Sequence, residues 1–565
     1  MDLTVFEENK ELVVEAFERG EFDFVEGVDE VDEAEFFRFI GAKGVLQKLS
    51  AAYPSPRVKQ EVPVEVFVSS AMSLRLHGVV SYCRYPYVVR SGGMLSVFGP
   101  RVARKAVHPH SGDGTLACEG FNNKNEYDRQ TPCDQDFLRK FARDTDVEAL
   151  HGWFNGAVQR ILRQHHAFDP EGIFIGDGSY LFVPDNPRYE GSSLMLFDEH
   201  NHPVSADEQK KLTPEQLRHC RWRRCYRVVM LLHTNRELDF FRCAGVRVLG
   251  GNESELEPLY ELVDGFVAAV GPGVMRLLIL DRGFIDGERI GRCKTEHGID
   301  VVIPLRRNMD AFQDMLGLQR LPDVRFEEYQ RERRASIPRL PKGAPERRVP
   351  ERILRREAKR QATLAARKVE EPRPPPAAAK LRLRSEVAVV GEVRSWTSCP
   401  VPLTVTICRE TYADGHEEQW MLADTRPPAR PERSRRDYEL RGQIEERWKQ
   451  GKVYTNLARF SSRAFSLVTQ QVVFVLLTYT LLQLYLERTR RAELNRRTMP
   501  RIRDQLRPRN TVVILYYANY FARLSHLEHQ ELVLTLGEDA RQKVLQKTRQ
   551  LRLDVARALP NPRPP

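Results

Sequence analysis

The chain has 565 residues, 41% apolar and 29% charged, which gives room for two to four domains with a substantial core and excludes global disorder. Its formal net charge of +10 favours an acidic partner, nucleic acid before a membrane surface. Nine cysteines, odd in number and without a regular framework, point to a reducing compartment such as the cytoplasm, and the acidic, mixed start MDLTVFEENKELVV is unlike a signal peptide.

Residues 1–165 read as a mostly helical N-terminal region, with apolar spacing in Phe6 to Phe17 and Val64 to Val80 and a polar, Gly- and Asn-rich loop near 107–130. Thr131 followed by Pro132 is a helix-start signal, and Val147, Leu150, Phe154, Val158 and Ile161 form one face of a following helix. This pair predicts either a helix-turn-helix DNA reader or a plain helical bundle.

From about 171 the pattern changes to strands. Ile173 to Ile175 runs into Gly176, Asp177 and Gly178; Tyr226 to Leu232 and Phe240 to Leu249 follow; a capped helix is predicted over 252–270. Leu277 to Leu280 then leads directly into Asp281, and Val301 to Leu305 supplies another strand. Such continuous apolar runs suit strands buried on both faces, so residues 166–310 are expected to form the first part of an α/β core with a mixed sheet.

Residues 311–425 interrupt that core. A basic, proline-punctuated stretch comes first, with a helix predicted from Glu351 to Lys368; residues 320–384 hold 20 Lys or Arg against 9 Asp or Glu, a net of +11. Alternating strands follow over 381–425. Residues 426–490 return to the core, with a helix capped by Ser434 and a buried helix from Phe465 to Leu486. That last run is near bilayer length, but Gln470, Gln471 and Gln483 interrupt it and favour a central core helix over a membrane anchor. Residues 491–565 read as a basic helical C-terminal region.

The chemistry concentrates in Tyr438, Arg441, Glu445 and Lys452. On one continuous helix these four would share a stripe about 60° wide, beside an apolar stripe of Leu440, Ile444 and Trp448. Roughly 0.06 such strings are expected by chance in a chain of this composition, so the string is suggestive without being decisive alone. Charged residues at helical spacing are more often a solvated face, and Gly451 is a possible end of the helix before Lys452.

Asp177 and Asp281 each end an apolar strand and would project at one sheet edge. Taken singly, an Asp there more often forms a turn or caps a helix. With Glu445 they make a set of hard oxygen donors suited to Mg²⁺ or Mn²⁺. Two such ions could activate an attacking oxygen and stabilise the leaving one in a phosphoryl displacement. Asp286, Glu288 and Glu446 are nearby competitors placed off the expected site. His219, Cys220 and Cys225, or His108, His110, Cys118 and Cys133, lack the paired spacing that zinc sites favour.

At IFIGDGS, LLILDRGF and YELRGQIEERWKQGK the sequence resembles the DDE transposases of bacterial insertion sequences, in the insertion-sequence-four group with its Tyr-Arg-Glu-Lys signature. The resemblance covers roughly residues 170–490 and extends to the order of a helical N-terminal region, two strand aspartates, a β-rich insertion and a glutamate helix. It implies a ribonuclease-H-like α/β catalytic core, two Mg²⁺ or Mn²⁺ ions, and a homodimer on double-stranded DNA that joins transposon ends to target. It further implies Asp177, Asp281 and Glu445 as catalytic metal ligands and Tyr438, Arg441 and Lys452 as DNA-binding residues. Family members often carry an aromatic residue where this chain has Gly442. Trp396 and Trp420 could stack on an extruded base, although core packing is the simpler expectation. The alternative function is a catalytically inactive, transposase-derived DNA-binding protein or regulator.

Overall fold

The computed structural model describes residues 3–5, 7–30, 33–58, 62–82, 85, 102–104, 135–330, 382–454, 456–490, 492, 495, 510–518 and 520–558. From residue 173 onward the strands used below are β1 (Ile173–Val183), β2 (Ser193–Phe197), β3 (Arg221–Thr234), β4 (Arg242–Gly250), β5 (Leu277–Leu280), β6 (Asp300–Pro304), β7 (Arg382–Val393), β8 (Leu403–Tyr412) and β9 (Glu417–Asp424). The helices are α1 (Leu256–Val270), α2 (Gly287–Thr295), α3 (Arg433–Glu439), α4 (Gly442–Tyr454) and α5 (Phe465–Arg488). The chain divides into one unit of Met1–Leu278, His297–Ile299 and Arg441–Pro565, and a second of Ile279–Glu296 and Asp300–Leu440.

In the first unit the apolar run of β3 makes it the central strand. β1 pairs antiparallel along one edge, Asp177 opposite Met230 and Val183 opposite Arg224. The other edge takes β2 and then β4, both antiparallel. Because side chains alternate, Asp177, Ser179, Leu181 and Val183 share a face with Met230, Val228, Tyr226, Arg224 and Trp222. The opposite face carries Phe174, whose ring lies 4.9 Å from Phe266 of α1 and stacks at 4.5 Å on His233. His233 is fully buried; its Nδ1 lies 3.0 Å from the Ile173 carbonyl, and its Nε2 accepts the Asp169 N–H at 2.9 Å.

α5 is long and apolar enough to cross a membrane, yet it is buried among the elements of this unit. Its polar side chains have partners there. Gln470 accepts from the Tyr53 hydroxyl at 3.2 Å, Gln471 donates to the Asn456 carbonyl at 3.0 Å, and Gln483 accepts the Phe241 N–H at 3.1 Å. Each replaces a hydrogen bond to water with one to the protein, the condition under which a polar group can be buried.

The N- and C-terminal regions differ from the helical expectation. Helices are present, including Lys10–Glu18, Val64–Leu76 and Glu538–Ala558, but Phe24–Glu30, Asn510–Tyr517, Tyr520–Ser525 and Glu7–Glu8 form a four-stranded sheet. Val512 pairs with Val28 and Leu515 with Ala522, over a core of Phe17, Phe22 and Leu524. The β-branched and aromatic run TVVILYY carries the strand propensity, and its partner strand lies almost 500 residues earlier. The Val147 to Ile161 face is present with an internal π-helical segment, Trp153–Val158. Thr131, Pro132, the loop at 107–130 and its histidines and cysteines lie outside the described residues.

In the second unit β7, β8, β9 and β6 follow one another as antiparallel neighbours, with Ala388 opposite Ile407, Ile407 opposite Met421 and Ile303 opposite Ala423. The insertion is therefore β-rich from residue 382. The basic stretch at 331–381, with the helix expected from Glu351 to Lys368, lies outside the described residues. An α/β architecture is present, as expected.

Candidate catalytic site

The motif string does not lie on one helix. α3 ends at Glu439, Leu440 and Arg441 form a turn, and α4 starts at Gly442. The Leu440 N–H bonds to the Asp437 carbonyl at 3.1 Å and the Ile444 N–H to the Arg441 carbonyl at 2.9 Å, both tight three-residue steps. Glycine at 442, a poor helix former, marks the restart. Tyr438 thus belongs to α3 in the second unit, and Arg441, Glu445 and Lys452 to the first. The helix continues past Gly451 to Tyr454, so Lys452 is helical.

Within the first unit α4 lies on β1. Arg441, Glu445, Trp448 and Lys452 recur at i, i+4, i+7 and i+11, which is one helical face. Arg441 reaches Asp177 Oδ1 at 3.4 Å, the Trp448 indole N–H donates to Asp177 Oδ2 at 2.9 Å, and the Lys452 ammonium donates to Ser179 at 2.7 Å. Asp177 is only 8% exposed, while Glu445, between Arg441 and Trp448 on the same stripe, is exposed to solvent. Ile444 and Trp448 are buried, and Arg447 anchors the helix by donating to Gln450 and the Asn495 carbonyl, both at 2.9 Å.

Burial pushes the Lys452 ammonium down to about 8; the Asp177 charge opposes that shift and Arg223 adds to it. The site is therefore a buried carboxylate ringed by an arginine, a lysine and an indole, with a second carboxylate at its rim. The apolar stripe of the sequence marks Trp448 only as a core residue. The available signal was its position beside the charged stripe, because a buried indole N–H needs an acceptor.

In the second unit Asp281 follows β5, and its Oδ1 accepts the Arg282 N–H at 2.7 Å, capping a 3₁₀ turn. Asp286 caps α2 through the Arg289 N–H at 3.0 Å. Ser434 does not cap the motif helix: it lies inside α3, and its hydroxyl donates to buried Asp424 at 2.6 Å. Arg426 bridges Asp424 at 2.7 Å and Asp437 at 2.8 Å, while Arg435 pairs with Glu410 and lies 4.2 Å over Tyr329. These buried pairs fix α3 and with it Tyr438, whose ring is 6.0 Å from Trp420. Trp420 packs on the Tyr329, Val387 and Cys408 core, and Trp396 is buried, so both serve as packing residues here.

The carboxylates of Asp177, Asp281 and Glu445 suit a hard divalent ion in donor chemistry. Among the described residues, however, no three His, Cys, Asp or Glu side chains are grouped as a metal site. Glu446 has a buried Oε1 without a hydrogen-bond partner among the described residues, and its other oxygen is 3.7 Å from Lys449. At the rejected zinc candidate the Cys225 thiol is buried, which pushes it up to about 11.

A family model described as Transposase DDE domain matches residues 190–481, more than half of the chain, and the chain belongs to that family. No curated protein sequence matches it. The matched segment contains Asp281 and the whole Tyr438 to Lys452 string, and Asp177 lies before it.

Proposed function

We propose that the chain is a transposase of the insertion-sequence-four kind, which cleaves DNA at the ends of a mobile element and joins them to target DNA by a cut-and-paste route in the cytoplasm. The observation that carries this reading is that Glu445 on α4 lies between Arg441, in the turn just before the helix, and Trp448, both of which bond Asp177. Asp177, Asp281 and Glu445 are the proposed ligands for Mg²⁺ or Mn²⁺ in a ribonuclease-H-like core, and Tyr438, Arg441 and Lys452 the proposed contacts to DNA phosphates. The working form would be a homodimer on two DNA ends.

In that reading Arg441 and Lys452 neutralise phosphate and hold the strand against β1, and Trp448 fixes the orientation of the Asp177 carboxylate. A water oxygen attacks phosphorus, the bond to the 3′ oxygen breaks, and the departing oxygen takes a proton to become a 3′-hydroxyl. That hydroxyl attacks the next phosphodiester, and the oxygen released there is protonated in turn. Bound divalent ions would lower the pKa of the attacking oxygen and stabilise the leaving one. Supercoiled plasmid incubated with the full chain and Mn²⁺ tests the reading. Nicking that disappears in Asp281→Asn supports it, and nicking retained in that variant refutes the assignment.

A further inference from the structure

β1 ends at Val183, opposite Arg224, so Arg221, Trp222 and Arg223 pair only with β2 among the described residues. Beyond the sheet, β2 and β3 continue as a two-stranded ribbon. Its sequence is unusual for a strand end: residues 216–236 contain six arginines and no Asp or Glu. Arg223 stacks on Phe182 at 3.3 Å and bonds to Asn201, so its charge is held in place without a carboxylate. Arg221 is exposed and makes no ion pair among the described residues.

Trp222 is 59% exposed and Leu194 is 42% exposed. The register puts both on the face that carries Asp177 and Ser179. Trp153, Trp396 and Trp448 are all buried, so exposure of this one needs a reason. From Met230, opposite Asp177, to Trp222 is eight residues of continuous strand, about 27 Å, or about eight base-pair steps of B-DNA.

We propose that this ribbon is a DNA-docking surface, in which Trp222, on the Asp177 face, stacks on an unpaired base of the DNA whose reacting phosphate sits at Asp177, while Arg221 and Arg223, on the opposite face of the ribbon, hold backbone phosphates across the groove. A two-stranded ribbon has the width of the major groove, arginine pairs well with phosphate, and an aromatic face accepts any base. The inference rests on the transposase reading and extends it to a surface outside the motif string.

Fluorescence anisotropy of the full chain on two labelled DNAs, a blunt duplex and the same duplex with a short single-stranded 3′ tail, tests it without metal or catalysis. Trp222→Ala weakens binding of the tailed duplex about tenfold, and Trp222→Phe restores most of it. Arg221→Gln weakens both duplexes and lowers the slope of log affinity against log salt by about one. Leu527→Ala, an exposed apolar truncation on another element, leaves both unchanged. If Trp222→Ala and Arg221→Gln bind both DNAs as the wild type does, the ribbon is not a DNA surface, while the transposase reading stands. Failure of the wild-type chain to bind either duplex overturns both.

Discussion

The Trp448 indole N–H donates to Asp177 Oδ2 at 2.9 Å, joining residues 271 positions apart. A carboxylate on a buried strand is thereby held in one orientation by a helix that also carries Glu445. Trp448→Phe keeps most of the packing and deletes the donor. The expected cost is about 2 kcal/mol in urea unfolding, the scale of a hydrogen bond to a charged group. Apparent Mn²⁺ affinity in the nicking reaction should fall tenfold or more, the scale of losing a second partner of a metal ligand. An unchanged metal dependence would leave Trp448 with a packing role alone.

Arg441 balances the Asp177 charge and is also a proposed phosphate contact. Arg441→Ala removes both functions. Stability should drop by about 1–3 kcal/mol because a buried carboxylate loses a partner, and the salt slope of DNA binding should fall by about 0.9. Arg441→Lys restores the charge without the planar fork, so it recovers the slope more fully than the affinity. Thermal melting together with binding at several salt concentrations separates the two effects.

His233 sets a pH dependence. Burial, followed by the Arg242 charge, pushes its imidazole down to about 3, so the folded state keeps it neutral across the range where the unfolded chain protonates near 6.5. Between those values the unfolded state binds more protons, and stability must fall as pH falls. The loss from this group is at most roughly 5 kcal/mol by pH 3. His233→Gln should flatten the urea-unfolding profile between pH 6 and pH 4; an unaltered slope would mean other groups set it.

Gly172, immediately before β1, has φ +62°, and its carbonyl accepts the N–H groups of Arg276 at 2.9 Å and Leu277 at 3.0 Å. A Cβ there would stand 2.5 Å from the Val274 carbonyl oxygen. Gly172→Ala combines a left-handed backbone with a clash against main chain and should destabilise by about 1–3 kcal/mol in urea unfolding. A neutral substitution would show that the turn can shift without disturbing β1.

The parts legible in the sequence were those with local causes. The apolar runs at Ile173, Tyr226, Leu277 and Val301 are strands, the Phe240 run becomes one from Arg242, the helix expected over 252–270 is α1 but starts at Leu256 without a side-chain cap, and the glutamine-interrupted run at Phe465 is a core helix. The break at Leu440 and Arg441 was hidden because helical periodicity continues across it, and only a glycine at 442 marks it. Pairing of Asn510–Tyr517 with Phe24–Glu30 has no local signature, since register depends on a distant partner. The Asp177 contacts have the same character: residue types and spacing indicated the stripe, but not that an indole would share the carboxylate with Arg441. Exposure of Trp222 likewise depends on where β1 ends.

Asp177, Asp281 and Glu445 are proposed to bind divalent metal together. Anomalous diffraction from Mn²⁺-soaked crystals of the chain with a DNA duplex tests it most directly. The expected result is Mn²⁺ ligated directly by carboxylate oxygens of all three residues, with Arg441 moved from Asp177 onto phosphate. Mn²⁺ bound elsewhere, or Glu446 ligating in place of Glu445, would contradict it.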